Sequence, residues 1–97
     1  MTAHYVISPA AQSDLDEIWD YTAGHWNAIQ ADRYVVDLDG AIEAAASGER
    51  SGRACDDIRP GYFRLLSGSH VVFCRMDGAR LQVVRILHQR MDFGRRL

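Results

Sequence analysis

The hydrophobic pattern changes period once along this chain, and that change limits the fold more than any other feature. From Pro9 to Gly48 the apolar residues recur at helical spacing; from Tyr62 to Leu87 they follow the spacing of strands. The last segment, Leu81-Gln82-Val83-Val84-Arg85-Ile86-Leu87, runs directly into the polar cluster His88-Gln89-Arg90-Met91-Asp92. A strand this apolar needs partners on both sides, so the chain reads as a scaffold built around it. At 97 residues, 47% of them apolar, one domain with its own core is expected over residues 1–97.

The helical half divides in two. His4 to Ser8 reads as a short strand rich in β-branched and aromatic residues. Ser8-Pro9 then starts a helix, because Ser accepts from free N–H groups and Pro at the first position has no donor to lose. Ala11, Leu15, Ile18, Trp19, Thr22 and Trp26 share one face of it, and Asp14, Asp16, Glu17 and Asp20 crowd the other as a solvated surface. Asn27 and Gln30 have the spacing of a capping box for a second helix. Its stripe is Ala31, Tyr34, Val35, Leu38, Ile42, Ala45 and Ala46, and Ser47-Gly48 ends it. Gly40 interrupts that stripe, which close helix packing would explain. Two helices joined this tightly form an antiparallel hairpin.

Residues 49–60 have no periodicity and read as a loop. Strands are expected at about 62–66, 70–76 and 81–87, with a turn at Ser67-Gly68-Ser69 and a tight hairpin at Asp77-Gly78. They form an antiparallel meander, to one edge of which the N-terminal strand adds. The fold class is therefore α+β. With Leu66 opposite His70, parity puts Phe63, Leu65, Val71, Phe73, Val84 and Ile86 on the face that receives the helices. The other face holds Tyr62, Arg64, Leu66, His70, Val72, Cys74, Val83, Arg85 and Leu87. It is apolar and cationic, with nothing in the chain to cover it, so a partner segment is expected across it. A turn one residue shorter would overturn this assignment.

Charge is divided along the chain. Residues 1–52 carry nine acids against two arginines, a net −7, while residues 53–97 carry nine arginines against four acids, a net +5. There is no lysine. An arginine-rich sheet suits an anionic partner with planar, bidentate groups; mutual neutralisation of the two halves is the simpler alternative. Cys55 and Cys74 have no metal-ligand spacing and read as reduced thiols, a single disulfide being the alternative. The start MTAHYVIS lacks the basic and long apolar regions of a signal peptide, and no apolar run approaches a membrane span. No cofactor or metal is expected.

No nucleophile–base–acid set stands out. The candidate for chemistry is Arg64, Arg85, Arg90, His70 and His88, if they converge at one end of the sheet. Cleavage of RNA through its own 2′-OH needs a base, an acid and cations around the phosphate, which His and Arg supply. The structural alternative gives Arg64 and Arg85 to acids of a protein partner, and His88 and Arg90 to the C-terminal turn. The tail Phe93-Gly94-Arg95-Arg96-Leu97 is short, basic and expected to fray.

The order of elements, the Ser8-Pro9-Ala10-Ala11 start followed by Leu15, Ile18 and Trp19, the stretch GRACDDIRPGYFRL (52–65) and above all VVRILHQRMD (83–92) resemble ParE toxins of the RelE/ParE superfamily. The likeness covers nearly the whole chain. It implies an α+β fold, a cytoplasmic location and a cognate ParD-type antitoxin in a hetero-oligomer of four chains or more, reaching operator DNA only through the antitoxin. Two activities occur in the superfamily. ParE-like members inhibit DNA gyrase; RelE-like members cut mRNA on the ribosome. Arg64 matches one basic position of the cutting branch and Arg90 approximately another, but His70 stands where that branch has an arginine. The C-terminal tyrosine is also missing, with Phe93 and Arg96 nearby instead. The resemblance therefore implies a non-enzymatic gyrase inhibitor. The alternatives are an mRNA endoribonuclease using Arg64, His88 and Arg90, or a decayed toxin that only binds its antitoxin. Antitoxin contacts are expected at Tyr62, Arg64, Val72, Val83 and Arg85, and target contacts at His88, Arg90, Arg95 and Arg96.

Overall fold

The computed structural model describes residues 5–97. Their order is β1 (Tyr5–Ile7), α1 (Pro9–His25), α2 (Ala28–Ala46), β2 (Arg53–Ala54), β3 (Tyr62–Ser67), β4 (His70–Asp77), β5 (Arg80–His88) and α3 (Phe93–Arg96). The five strands form one sheet in the order β1-β5-β4-β3-β2. The mixed α+β fold is as expected. His4, the expected first residue of the N-terminal strand, lies outside the described residues. The loop before β3 is less irregular than expected, since Arg53 and Ala54 pair with Arg64 and Phe63 as a short edge strand.

Ser8 shows how a few atoms set the first helix. Its hydroxyl accepts from the Ala11 N–H at 3.0 Å, capping α1, and donates to the Val84 carbonyl at 2.7 Å. Its own N–H donates to the Val83 carbonyl at 2.9 Å. The helix start is thereby pinned to β5 at the point where β1 stops pairing with it. Asn27 caps α2 by accepting from the Gln30 N–H at 2.8 Å. Trp19 Nε1 donates to Asp32 across the hairpin at 2.9 Å. Gly40 has no atom within 4 Å of where a Cβ would stand, so close helix packing does not account for it.

The strands pair as a meander, but the faces differ from the expected ones. Ser67, not Leu66, opposes His70, leaving a two-residue turn at Gly68-Ser69. Gly68 adopts φ +58°, and a Cβ there would lie 2.6 Å from the Tyr34 hydroxyl, so both conformation and space select glycine. The shorter turn reverses β4 relative to β3. Val72 and Cys74 therefore join Phe63 and Leu65 under the helices, and Val71 and Phe73 turn to the other side. Met76 opposes Leu81, but the ladder then slips between Phe73 and Cys74, with Phe73 opposite Arg85 and Cys74 opposite Val83. Val84 is the extra residue of this bulge, which puts both Val83 and Ile86 under the helices.

The main core thus joins Ala11, Leu15, Ile18, Leu38 and Ile42 to Leu65, Val72, Cys74, Leu81, Val83 and Ile86. A second core lies on the opposite face: Cys55, Val71, Phe73 and Leu87, packed under Ile58, Tyr62, Phe93 and Leu97. That face, expected to be bare, is partly closed by the chain's own loop and tail. Phe93 meets Phe73 edge-on with centroids 4.9 Å apart. Arg59 donates to the Leu97 carbonyl, and Arg85 to the Arg96 carbonyl at 3.1 Å. The C-terminal residues expected to fray are therefore docked as α3. Cys55 and Cys74 are both free and buried; burial pushes the Cys74 thiol up to about 12 and raises that of Cys55. No helix among the described residues is long and apolar enough to cross a membrane.

Candidate functional site

Three groups of polar residues stand out. The first is structural. Asp14, expected on a solvated helix face, is 8% exposed. Its carboxylate accepts from Arg85 Nε and Nη2, each at 2.8 Å, and from the Ile86 N–H at 2.9 Å. The hydrogen bonds that Arg85 donates to Asp14 raise the pKa of Arg85 further, against the opposing effect of burial. Beyond Ile7 the edge of β5 has no strand beside it, and Asp14 supplies the acceptor that a strand would have provided. Arg85, expected as an antitoxin contact, is thus already paired within the chain.

The second group lies at the end of the sheet under the helices. His70 and His88 oppose each other on β4 and β5, with ring centroids 5.3 Å apart and nearly perpendicular. The Tyr34 hydroxyl stands 2.6 Å from His70 Nδ1 and accepts from the Ser69 N–H at 2.9 Å. His88 Nδ1 accepts from the Arg90 N–H at 3.2 Å, which leaves its proton on Nε2. Burial, and then the neighbouring His88, lower the pKa of His70, outweighing the opposite pull of Asp14. These imidazoles border a cleft of about 440 Å³ whose wall on α1 includes Glu17, Ile18 and Tyr21.

The third group is on the other face. Arg64 sits opposite Arg53 on one side and Phe73 on the other. With Arg50 these arginines border a groove of about 340 Å³, walled by Leu66, Val71, Gln89 and Phe93. Gly52 lets the loop pass tightly here, since a Cβ would fall 2.3 Å from the Phe63 ring. Arg50 donates to the Leu66 carbonyl at 2.8 Å, beyond the point where β2 stops pairing.

The structure therefore separates residues expected to act together. Arg64 is on the loop-and-tail face, whereas His70 and His88 are on the helix face, because 64 and 67 differ in strand parity. Arg90 follows the strand and is exposed. Val72 and Val83, expected as antitoxin contacts, are each 0% exposed beneath the helices and offer no surface. The shortened turn and the bulge are the cause. Tyr62 is half-buried over the second core. Arg95 and Arg96 are exposed, and Arg95 reaches Asp92 only at 3.5 Å. Sequence reasoning missed Arg50 and Arg53. Their only signal is arginine at both ends of RSGR (50–53) in the loop, and the pairing of Arg53 with Arg64 has none.

A family model described as "ParE toxin of type II toxin-antitoxin system, parDE" matches residues 5–93. A protein named Toxin ParE1 from Mycobacterium tuberculosis is 52% identical over 98 aligned positions, covering 100% of both chains. Toxin ParE1 of Caulobacter vibrioides is 42% identical over 88 positions, 91% of each chain, and Toxin ParE of Escherichia coli is 37% identical over 98, covering 100% of this chain and 94% of that one. Among solved structures, one titled "Chromosomal ParDE TA system from P. aeruginosa" superposes with a TM-score of 0.77 over 90% of this chain and 96% of the other. At 21% identity that likeness bears on the fold alone. Matched over nearly its whole length by the family model and over its full length by relatives of this name, the chain belongs to the ParE toxins of type II toxin-antitoxin systems.

Proposed function

We propose that this toxin acts in the cytoplasm by binding and inhibiting DNA gyrase, without bond-making chemistry of its own, and that a cognate ParD-type antitoxin holds it silent. Family membership supports the reading. The observation that carries it is the split of the cationic and imidazole groups between the two faces of the sheet. A cleaving site would need Arg64 beside His88 around one phosphate, and the strand register puts them on opposite sides. Phe93, where a proton-shuttling hydroxyl would be wanted, is packed on Phe73. We assign the target contact to His88, Arg90, Arg95 and Arg96, cations and a half-buried imidazole near the chain's end. The antitoxin contact falls to the loop-and-tail face around Tyr62 and Arg64.

One arrangement favours the ribonuclease reading. Tyr34, His70 and His88 form a linked set with acid–base capacity at the rim of a cleft. The purified chain is therefore tested in parallel for inhibition of gyrase supercoiling, with trapped cleavage complexes as readout, and for cutting of mRNA on programmed ribosomes. Gyrase inhibition without cutting is expected. Cutting abolished by His70→Ala or His88→Ala would replace the proposal with the endoribonuclease. Activity in neither assay would leave a toxin reduced to antitoxin binding.

A further inference from the structure

The arginines of this fold divide by whether the chain supplies their counter-charge. Arg85 has Asp14, with two hydrogen bonds at 2.8 Å. For Arg50, Arg53 and Arg64 no carboxylate lies within ion-pair distance among the described residues. The three nevertheless converge from a loop, an edge strand and β3 on one groove, with no acidic residue in its wall. Three guanidinium groups brought together repel one another, and a bound anion reverses the sign of that interaction. The planar fork of arginine fits carboxylates in pairs of hydrogen bonds.

The rest of the wall says what kind of anion. Leu66 is 60% exposed at the groove, with Val71 and Phe93 behind it and the Gln89 amide at its border. We propose that this groove is a carboxylate-binding site for an acidic peptide segment, whose Asp or Glu side chains engage Arg50, Arg53 and Arg64 while a neighbouring aliphatic side chain covers Leu66 and Phe93. The inference rests on the antitoxin reading above and deepens it by naming the chemistry of the segment and the residues that hold it. A nucleic-acid backbone fits less well. Exposed Leu66 offers nothing to a sugar–phosphate chain, the one aromatic ring in the wall is engaged with Phe73, and the acidic helices leave the protein at net −2.

The test uses the full chain and a short synthetic peptide alternating Glu and Leu, followed by fluorescence anisotropy. The same peptide with Gln for Glu and a single-stranded RNA of equal charge are the comparisons. The Glu peptide should bind, and both the Gln peptide and the Arg53→Gln or Arg64→Gln proteins should show affinity lower by about 10-fold, the scale of one charged hydrogen bond. Arg53 is exposed on a two-residue strand, so Arg53→Gln should keep the parent melting temperature and report binding alone. Equal binding of the Glu and Gln peptides, unchanged binding by both variants, or tighter binding of RNA would each overturn the site. Antitoxin neutralisation is scored separately. An antitoxin that silences the Arg50→Gln/Arg53→Gln/Arg64→Gln protein at parental dose overturns the groove and leaves the antitoxin reading intact. A chain that binds the Glu peptide through these arginines but is bound by no antitoxin retains the site and loses that reading.

Discussion

The two faces of the sheet are both covered, but by very different means. Beneath the helices, two long amphipathic elements seal a continuous core in which Leu38, Ile42, Val72 and Val83 are wholly buried. On the opposite face, a loop and a four-residue helix cover Val71, Phe73 and Leu87 and leave a groove between them. The charges follow the same division. The arginine that reaches back to α1 is matched to Asp14, and the arginines of the groove are matched to nothing in the described chain. The helix face is therefore where folding free energy is concentrated, and the other face is where the molecule has surface and charge left over for a partner.

The sharpest way to break this comparison is to remove one side chain from each cover. Leu38→Ala, in the sealed core, should cost about 4 kcal/mol by chemical denaturation, within the range for fully buried leucines. Phe93→Ala, on a half-buried terminal helix, should cost about 1 kcal/mol. Comparable losses would show that the tail is as integral to the fold as the hairpin. Asp14→Ala comes next, at about 3 kcal/mol, because it strands the Arg85 guanidinium and the Ile86 N–H together. Adding Arg85→Met should recover part of that loss; no recovery would mean that the backbone bond to Ile86 carries the effect.

The smallest expected effect sharpens the comparison at the histidines. An unfolded His70 takes its proton near 6.5, whereas the folded one does so only at lower pH. Below about 6.5 the unfolded chain therefore binds more protons, and stability falls as pH drops through the folded value. The facing groups are His88 on β5, Tyr34 on α2 and, from α1, Asp14 and Glu17. Melting temperatures between pH 7.5 and 5 should decline by less in His70→Gln than in the parent. Parallel curves would place the sensitivity elsewhere.

Most of the elements were legible because each is written in adjacent residues. Ser8-Pro9 and Asn27 start the helices where their side chains accept from the first free N–H groups. Asp77-Gly78 marks a tight hairpin, and the strand ends fall within a residue of expectation. The affinity of Arg64 for the face away from the helices could also be read, since it alternates with Phe63 and Leu65.

What local pattern determined, then, was the order and type of the main elements (the first strand, the helical hairpin and the three-stranded meander, though not β2 or α3), the fold class and the family. The tertiary structure alone decided which side of the sheet each residue of β4 and β5 faces. Strand parity depends on single-residue counts, and here one residue fewer in the Gly68-Ser69 turn and one more at Val84 moved Val72 and Val83 out of the expected surface and into the core. Asp14 looked solvated because its helix neighbours are, and only the unpaired edge of β5 gives it a reason to be buried. Arg50 and Arg53 became visible only once β2 was paired to β3, because a groove is made of contacts between segments that no local pattern records.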